Sequence, residues 1–209
     1  MRILALSDLH AEEDVLDRLK VRAASKGYDA VFFVGDITTR GPASYAEEVI
    51  SLFPNSFAVP GNMDTPDVSE ALRRKGVMMH GKKAAFGDWN IVGFGGSNPT
   101  PYRTPNEFSE EQIEMVLNSA GVDHFSIVLC HPPPFGFFDM VAGKHAGSSA
   151  VRKIVEQKKP LMLICGHIHE HEGQQILGET LIVKLGAAQN LRAAEIEIGD
   201  KIEVDFISL

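Results

Sequence analysis

Five short polar motifs recur along this chain, each directly after an apolar run, and this arrangement constrains its fold more than any other feature. They are Asp8-Leu9-His10, Gly35-Asp36, Gly61-Asn62-Met63-Asp64, His131 and Gly166-His167-Ile168-His169. Short apolar runs are typical of strands that are buried on both faces of a sheet. Because functional groups gather beyond the carboxyl ends of parallel strands, the motifs are predicted to form a single site.

The segments between the motifs alternate between strand and helix patterns. Residues 12–26 begin with acidic residues and carry apolar side chains at helical spacing, which predicts a helix that stops at Gly27. From residue 77 onward the chain is richer in short strands, the first of them at 77–79, and residues 132–147 are expected to form a long loop. This order predicts an α/β fold with two mixed sheets packed together and helices outside. Since no linker or repeat is visible, residues 1–209 are expected to form one domain.

Composition and charge narrow the classes of function. No apolar run reaches the roughly 20 residues that a membrane span needs, and no secretory signal is visible, so a cytoplasmic location is expected and membrane association is not. The formal net charge is −8, which argues against general nucleic-acid binding, because phosphate contacts there depend on Lys and Arg. A small phosphate substrate remains compatible, since bound cations make an acidic site locally positive.

The polar motifs supply the donor atoms of a metal site. The candidate ligands are Asp8, His10, Asp36, Asn62, His131, His167 and His169. Oxygen and imidazole donors suit Mn, Fe, Co, Ni or Zn. Seven ligands exceed the needs of one tetrahedral zinc ion, but they suit two cations about 3.5–4 Å apart.

In this order, the motifs resemble those of the calcineurin-like metallophosphoesterases. The segment from His131-Pro132-Pro133 through Gly166-His167-Ile168-His169-Glu170 is similar to the Icc-related branch. The resemblance implies a four-layer α/β/β/α sandwich with a dinuclear metal site at the carboxyl ends of the strands. It implies that Asp8, His10 and His169 hold one cation, that Asn62, His131 and His167 hold the other, and that Asp36 bridges them. It also implies hydrolysis of a phosphate ester by in-line attack of a hydroxide held between the cations.

Asn62 and Asp64 are the implied catalytic positions of the third motif, with Asp64 orienting the loop. Related proteins usually carry His between them as the general acid, and this chain carries Met63, whose thioether has no proton to donate. The departure predicts a phosphodiesterase that is weak on alkyl monoesters. A replacement acid, such as His145 or His80, or a water molecule, is the alternative.

Two further residues are candidates for substrate binding. Arg40 lies in Gly35-Asp36-Ile37-Thr38-Thr39-Arg40-Gly41, which resembles a phosphate-gripping segment of the phosphoprotein phosphatases. A solvated loop arginine is an equally good interpretation. His145 precedes a predicted helix start at which backbone amides can hold an anion, although an ordinary capped loop explains the segment as well.

The leading hypothesis is a phosphodiesterase acting on a small phosphate ester, with nucleotides among the candidate substrates. A phosphomonoesterase is disfavoured by Met63, and a nuclease is disfavoured by the acidic charge. A metal-dependent nucleotide-binding protein with little turnover is the rival from another class, and the full ligand set argues against it. The sequence leaves the native metal and the oligomeric state open.

Overall fold

The computed structural model describes residues 1–25 and 27–209, so Lys26, the last residue of the first predicted helix, lies outside the described residues. The strands are β1 (Arg2–Leu6), β2 (Ala30–Val34), β3 (Ser56–Val59), β4 (Lys83–Phe86), β5 (Trp89–Phe94), β6 (Ser126–Cys130), β7 (Met140–Val141), β8 (Lys144–His145), β9 (Met162–Cys165), β10 (Gly173–Leu177), β11 (Thr180–Lys184), β12 (Arg192–Ile198) and β13 (Ile202–Ser208). The helices are α1 (Glu13–Ser25), α2 (Ala43–Ser51), α3 (Pro66–Arg74), α4 (Glu110–Ser119) and α5 (Ser149–Lys158), and Ala188–Asn190 forms a 3-10 turn.

The first sheet has the strand order β13-β12-β1-β2-β3. Strands β1, β2 and β3 run parallel, with Ile3 opposite Ala30 and Val31 opposite Ser56. Strand β12 pairs antiparallel with β1, which makes the sheet mixed. A strand from the C-terminal part of the chain, β12, therefore pairs with the free edge of the first strand, β1.

The second sheet has the order β10-β11-β9-β6-β5-β4. Its central strands β5, β6, β9 and β11 are parallel, and the outer strands β4 and β10 are antiparallel to their neighbours. Helices α4 and α5 cover its outer face, since Ile113, Leu117, Val151 and Ile154 are buried against Val128. Ser109 is the N-cap of α4 and forms a capping box with Gln112.

Alternating side chains of each strand enter different apolar layers. In β1, Leu4 and Leu6 pack against the helices of the first sheet, whereas Ile3 and Ala5 face the second sheet. This period of two is the geometry of a strand buried on both faces. Two helical layers outside two mixed sheets confirm the predicted α/β/β/α sandwich.

Two predicted elements differ from the observed ones. The predicted strand at 77–79 is wrong, because this segment crosses from one sheet to the other: Met78 makes a single bridge to Ala58, and His80 makes one to Gly93. The predicted loop at 132–147 contains a short hairpin, β7–β8, in which Met140 pairs with His145. Among the helices of the described ranges, none is both long enough and apolar enough to cross a membrane.

Candidate metal centre

The polar motifs lie at the carboxyl ends of β1, β2, β3, β6 and β9, as their sequence predicts. The backbones of the turns after β1 and β2 remain hydrogen-bonded to each other past the ends of the strands. The Asp8 N–H donates to Gly35 O at 2.9 Å, and the His10 N–H donates to Asp36 O at 3.0 Å. Two sheets that pack face to face therefore bring five loops to one place. The site combines side chains of both sheets.

One group of convergent ligand atoms consists of Asp8, His10 and His169. His169 Nε2 lies 3.1 Å from Asp8 Oδ1 and 3.4 Å from His10 Nε2. The other ring nitrogens are held from outside, His10 Nδ1 by Thr39 Oγ1 at 2.8 Å and His169 Nδ1 by the Gln189 amide at 2.9 Å. This arrangement directs both Nε2 atoms to one point, as metal-binding histidines require.

A second group consists of Asp36, His131 and His167. His131 Nδ1 donates its proton to Val34 O at 2.8 Å, which leaves Nε2 facing the site. Asn62 Oδ1 lies 3.0 Å from that Nε2, and the rings of His131 and His167 are 5.0 Å apart between centroids. The group thus offers a carboxylate, an amide oxygen and two imidazoles.

Asp36 lies between the two groups. Its Oδ2 is 3.9 Å from His10 Nε2 and 3.4 Å from His131 Nε2. Its Oδ1 accepts the Met63 N–H at 2.7 Å, which fixes the carboxylate plane. A carboxylate in this position can contact cations in both groups at once.

The charges of the buried side chains fit a site built for cations. Burial disfavours the charged ring of His131, yet the Asp36 and Asp8 carboxylates outweigh it and raise the pKa of His131 to about 9. A hydrogen bond to Asp8 likewise raises the pKa of His169. For His167, burial and the neighbouring His131 lower the pKa to about 4. The Asp8 and Asp36 carboxylates thus favour positive charge at His131 and His169, as they would favour a bound cation.

Asp64 joins the second and third motifs without pointing at either ligand group. Its carboxylate accepts the N–H groups of Ile37, Thr38 and Gly61 at 2.8–3.1 Å, together with the Thr38 hydroxyl at 3.0 Å. Burial raises the pKa of Asp64 to about 7, and the Asp36 carboxylate adds to the rise. Its place in the structure is that of a loop support.

Several candidate ligand residues have a left-handed backbone, with φ between 47° and 72° at Asp8, His10, Asp36 and His167. Such conformations are costly for residues other than glycine and occur where surrounding contacts impose them. Here the strained turns direct successive side chains into the site immediately after each strand ends.

The substrate-binding candidates lie at the periphery. Arg40 is exposed, and its N–H donates to Met63 O at 3.0 Å, which places its backbone beside the third motif. His145 is on β8, where Nδ1 lies 2.7 Å from the buried Asp139 carboxylate and 44% of the side chain is exposed. His80, the other candidate acid, is partly buried, and its ring packs against Phe94 and Phe108.

The sequence motifs do not reveal several polar residues that lie near the two groups of donor atoms. Lys184 is fully buried, and its Nζ donates to Leu185 O at 2.6 Å and His171 O at 3.2 Å; burial lowers its pKa. Gln189 contacts His169, and Thr104 contacts Asn62. A lysine ending the apolar run Leu181-Ile182-Val183 is the one signal that the sequence offered.

Comparison with known proteins agrees with this geometry. The sequence model of the calcineurin-like phosphoesterase family matches residues 1–171. The protein MJ1162 of Methanocaldococcus jannaschii is 33% identical over 193 residues, which cover 88% of this chain and 87% of that protein.

Solved structures share the whole fold. TT1561 of Thermus thermophilus has a TM-score of 0.75 at 18% identity, covering 98% of this chain and 97% of its own. A dimetal phosphatase from Danio rerio has a TM-score of 0.68 at 11% identity, covering 100% and 96%. An archaeal phosphodiesterase has a TM-score of 0.61 at 12% identity, covering both chains completely. At these identities the likeness establishes the fold alone.

Proposed function

Because this chain belongs to the calcineurin-like phosphoesterase family, we propose that it is a phosphodiesterase that works with two divalent cations. The observation that carries the choice of a diester is Met63. Its N–H contacts the Asp36 carboxylate, so the residue lies against the centre, yet its thioether cannot protonate a leaving group. General acid catalysis typically contributes about 10²–10⁴-fold, and diesters with good leaving groups depend on it least.

The ligand allocation is part of the proposal. One cation is assigned to Asp8, His10 and His169, the other to Asn62, His131 and His167, and Asp36 contacts both. Two bound cations would supply an activated water and neutralise charge on the phosphoryl oxygens. Mn, Fe, Co, Ni and Zn all suit the mixed oxygen and imidazole donors.

The remaining assignments concern substrate and loop. Arg40 is proposed to bind a phosphoryl oxygen, since its backbone adjoins Met63 and a guanidinium suits that contact. His145 is proposed to contact the substrate from the β7–β8 hairpin, and Asp64 to hold the loop that carries Asn62. The substrate is a small ester, and a nucleotide diester is one candidate. Residues 1–209 are taken as one catalytic domain, because β12 completes the ladder of β1.

Hydrolysis of bis-(p-nitrophenyl) phosphate and p-nitrophenyl phosphate by metal-stripped protein tests the proposal, with Mn, Co, Ni, Zn or Mg added singly. The diester should be cleaved faster, and only with metal. Asp36→Asn should lose about 10²-fold or more, since several kcal/mol of charge stabilisation depend on bound cations. Asp200→Asn, at an exposed carboxylate, is the matched control and should retain activity.

Met63→His tests the choice of ester. It should raise monoesterase activity toward an alkyl phosphate, because a protonatable ring would then extend from a residue whose backbone contacts Asp36. An unchanged preference would show that position 63 does not face the leaving group. Faster monoester than diester hydrolysis by the unmodified protein would overturn the proposed specificity.

A phosphomonoesterase is the second candidate, and the His145–Asp139 contact favours it, because a carboxylate-oriented imidazole is a common general acid. Under this alternative, His145→Gln should reduce monoester hydrolysis and leave diester hydrolysis unchanged.

A further inference from the structure

The side-chain amide of Asn62 can serve a cation with only one of its two ends. Its Oδ1 has lone pairs, whereas its NH₂ group has none to offer. In the structure Oδ1 lies 3.0 Å from His131 Nε2, on the side of the proposed cation. A half-turn of the amide would present two N–H groups there instead. What fixes the amide orientation therefore matters for metal binding.

A chain of hydrogen bonds begins at the other end of this amide. Asn62 Nδ2 donates to Thr104 Oγ1 at 3.1 Å, and the Thr104 hydroxyl donates to Glu107 Oε1 at 2.6 Å. The same carboxylate oxygen accepts the Thr104 N–H at 2.7 Å and the Thr100 hydroxyl at 2.6 Å. The Thr104 hydroxyl thus accepts a hydrogen bond from Asn62, next to the proposed metal site, and donates one to Glu107 in its own loop.

The donor-to-acceptor direction of these hydrogen bonds is set by the Glu107 carboxylate, at which they end. Partial burial disfavours the charged form of Glu107, but hydrogen bonds from Thr100 and Thr104 outweigh it and lower its pKa. An ionised carboxylate only accepts hydrogen bonds, so the Thr104 proton is committed to it. The Thr104 oxygen can then only accept from Asn62, which requires the NH₂ group on that side and Oδ1 on the other.

The position of Thr104 relative to Asn62 is secured independently. The Asn106 N–H donates to Asn62 O at 3.1 Å, and Asn106 Nδ2 donates to Gly61 O at 3.1 Å. These bonds hold the loop around residues 100–107 against the loop of the third motif. Removal of the Thr104 hydroxyl alone would therefore leave the two loops together.

We propose that Thr104 is a positioning residue that, held by Glu107, keeps the amide oxygen of Asn62 turned toward the cation. The inference rests on the proposed function, because it takes Asn62 as a ligand. Residues that orient a metal ligand in this way typically change metal affinity by about 10–100-fold when they are altered. The effect should fall on one of the two cations, since Thr104 contacts no ligand of the Asp8, His10 and His169 group.

Metal binding to Thr104→Val, which keeps the shape but removes the acceptor, tests the proposal. Mn²⁺ stoichiometry would be measured by elemental analysis, and the two affinities by competition with a chelator, without any substrate. Thr104→Val should bind one ion as the unmodified protein does and the other about 10–100-fold more weakly. Thr104→Ser retains the hydroxyl and should restore both affinities.

Thr100→Val is the matched control, because Thr100 donates to the same Glu107 oxygen but does not contact Asn62. It should bind both ions nearly as the unmodified protein does. Equal weakening in Thr100→Val and Thr104→Val would overturn the inference, since loop disruption would then explain both. Two unchanged affinities in Thr104→Val would overturn it as well.

The failure of this inference can be told apart from failure of the proposed function. An unmodified protein that binds two ions but hydrolyses no ester would refute the proposed function, while the variant affinities would still decide the role of Thr104. An unmodified protein that binds fewer than two ions would refute the proposed centre and the inference together.

Discussion

At the scale of single residues, two glycines allow the motifs to approach each other. A Cβ atom on Gly166 would lie 1.8 Å from Ser7 Oγ and 2.6 Å from Asp8 Oδ2, and one on Gly61 would lie 2.0 Å from Asp36 Oδ1. Real side chains do not tolerate such contacts, and the atoms in the way belong to buried residues. The fifth and first motifs can meet only because residue 166 has no side chain.

Gly166→Ala should therefore disturb the centre rather than the fold at large. Overpacking of this kind costs about 1–3 kcal/mol, so the free energy of unfolding in urea should fall by that amount. Metal affinity should also fall, because Asp8 must move. Gly199→Ala is the control, since a Cβ there meets nothing within 4 Å. Unaltered metal affinity in Gly166→Ala would contradict the close approach.

The sequence predicted the residues that converge on the centre but not those that support them. Asp8, Asp36 and His131 follow apolar runs directly, so strand geometry alone brings them to one edge. Thr104 and Gln189 lie in irregular segments whose path depends on tertiary packing, and no periodicity marks them. The sequence therefore predicts the convergent donor side chains more reliably than the residues that contact them.

At the scale of elements, the β7–β8 hairpin is organised around one buried carboxylate. Asp139 accepts the Gly136 N–H at 2.9 Å and the Gly147 N–H at 3.0 Å, and it contacts His145 Nδ1 at 2.7 Å. The sequence predicted a loop here, because two strands of two residues are too short to show an alternating pattern. Local hydrogen bonds to a single side chain, rather than strand propensity, give this segment its shape.

Asp139 should make stability depend on acid pH. Burial opposes ionisation, but the hydrogen bonds from Gly136, His145 and Gly147 outweigh it and lower its pKa. A lowered folded pKa contributes stability above the ordinary value of about 3.9, and that stability is lost as the pH falls through and below it. The free-energy difference between the unmodified protein and Asp139→Asn should shrink from pH 6 to pH 3 in urea titrations. Asp88→Asn, in an exposed turn, should show no such trend.

At the scale of the whole molecule, residues that follow the region matched by the family model form hydrogen bonds with the first residues of the chain. The Met1 amino group donates to Ile198 O at 2.7 Å. The Ala188 and Gln189 N–H groups donate to Ser7 O at 2.8 Å and Asp8 O at 2.9 Å. Residues after 171 thus hold the backbone of the first ligand motif, although the family pattern ends before them.

Glu195 on β12 also connects the C-terminal part of the chain to the N-terminal part, through contacts with three residues. It contacts Arg2 at 2.6 Å, Arg22 at 2.8 Å and the Tyr28 hydroxyl at 2.8 Å, and only 11% of its side chain is exposed. Glu195→Ala should lower the free energy of unfolding by about 2–4 kcal/mol, because Arg22, whose side chain is only 14% exposed, loses its contact with the Glu195 carboxylate. On the same strand, Glu197 is 62% exposed, so Glu197→Ala should change stability by less than about 1 kcal/mol. Equal losses in the free energy of unfolding for the two variants would argue against a stabilising role of the Glu195 contacts.

Each ligand group takes side chains from both sheets, since Asp8 and Asp36 follow strands of the first sheet and His169 and His131 follow strands of the second. Bound cations would therefore link two sheets that otherwise contact each other through apolar side chains. Any species that binds only the folded state adds stability in proportion to the logarithm of its free concentration. The lifetime of this protein in a cell would then follow metal supply: starvation for the ion would expose it to proteases as well as stop its chemistry.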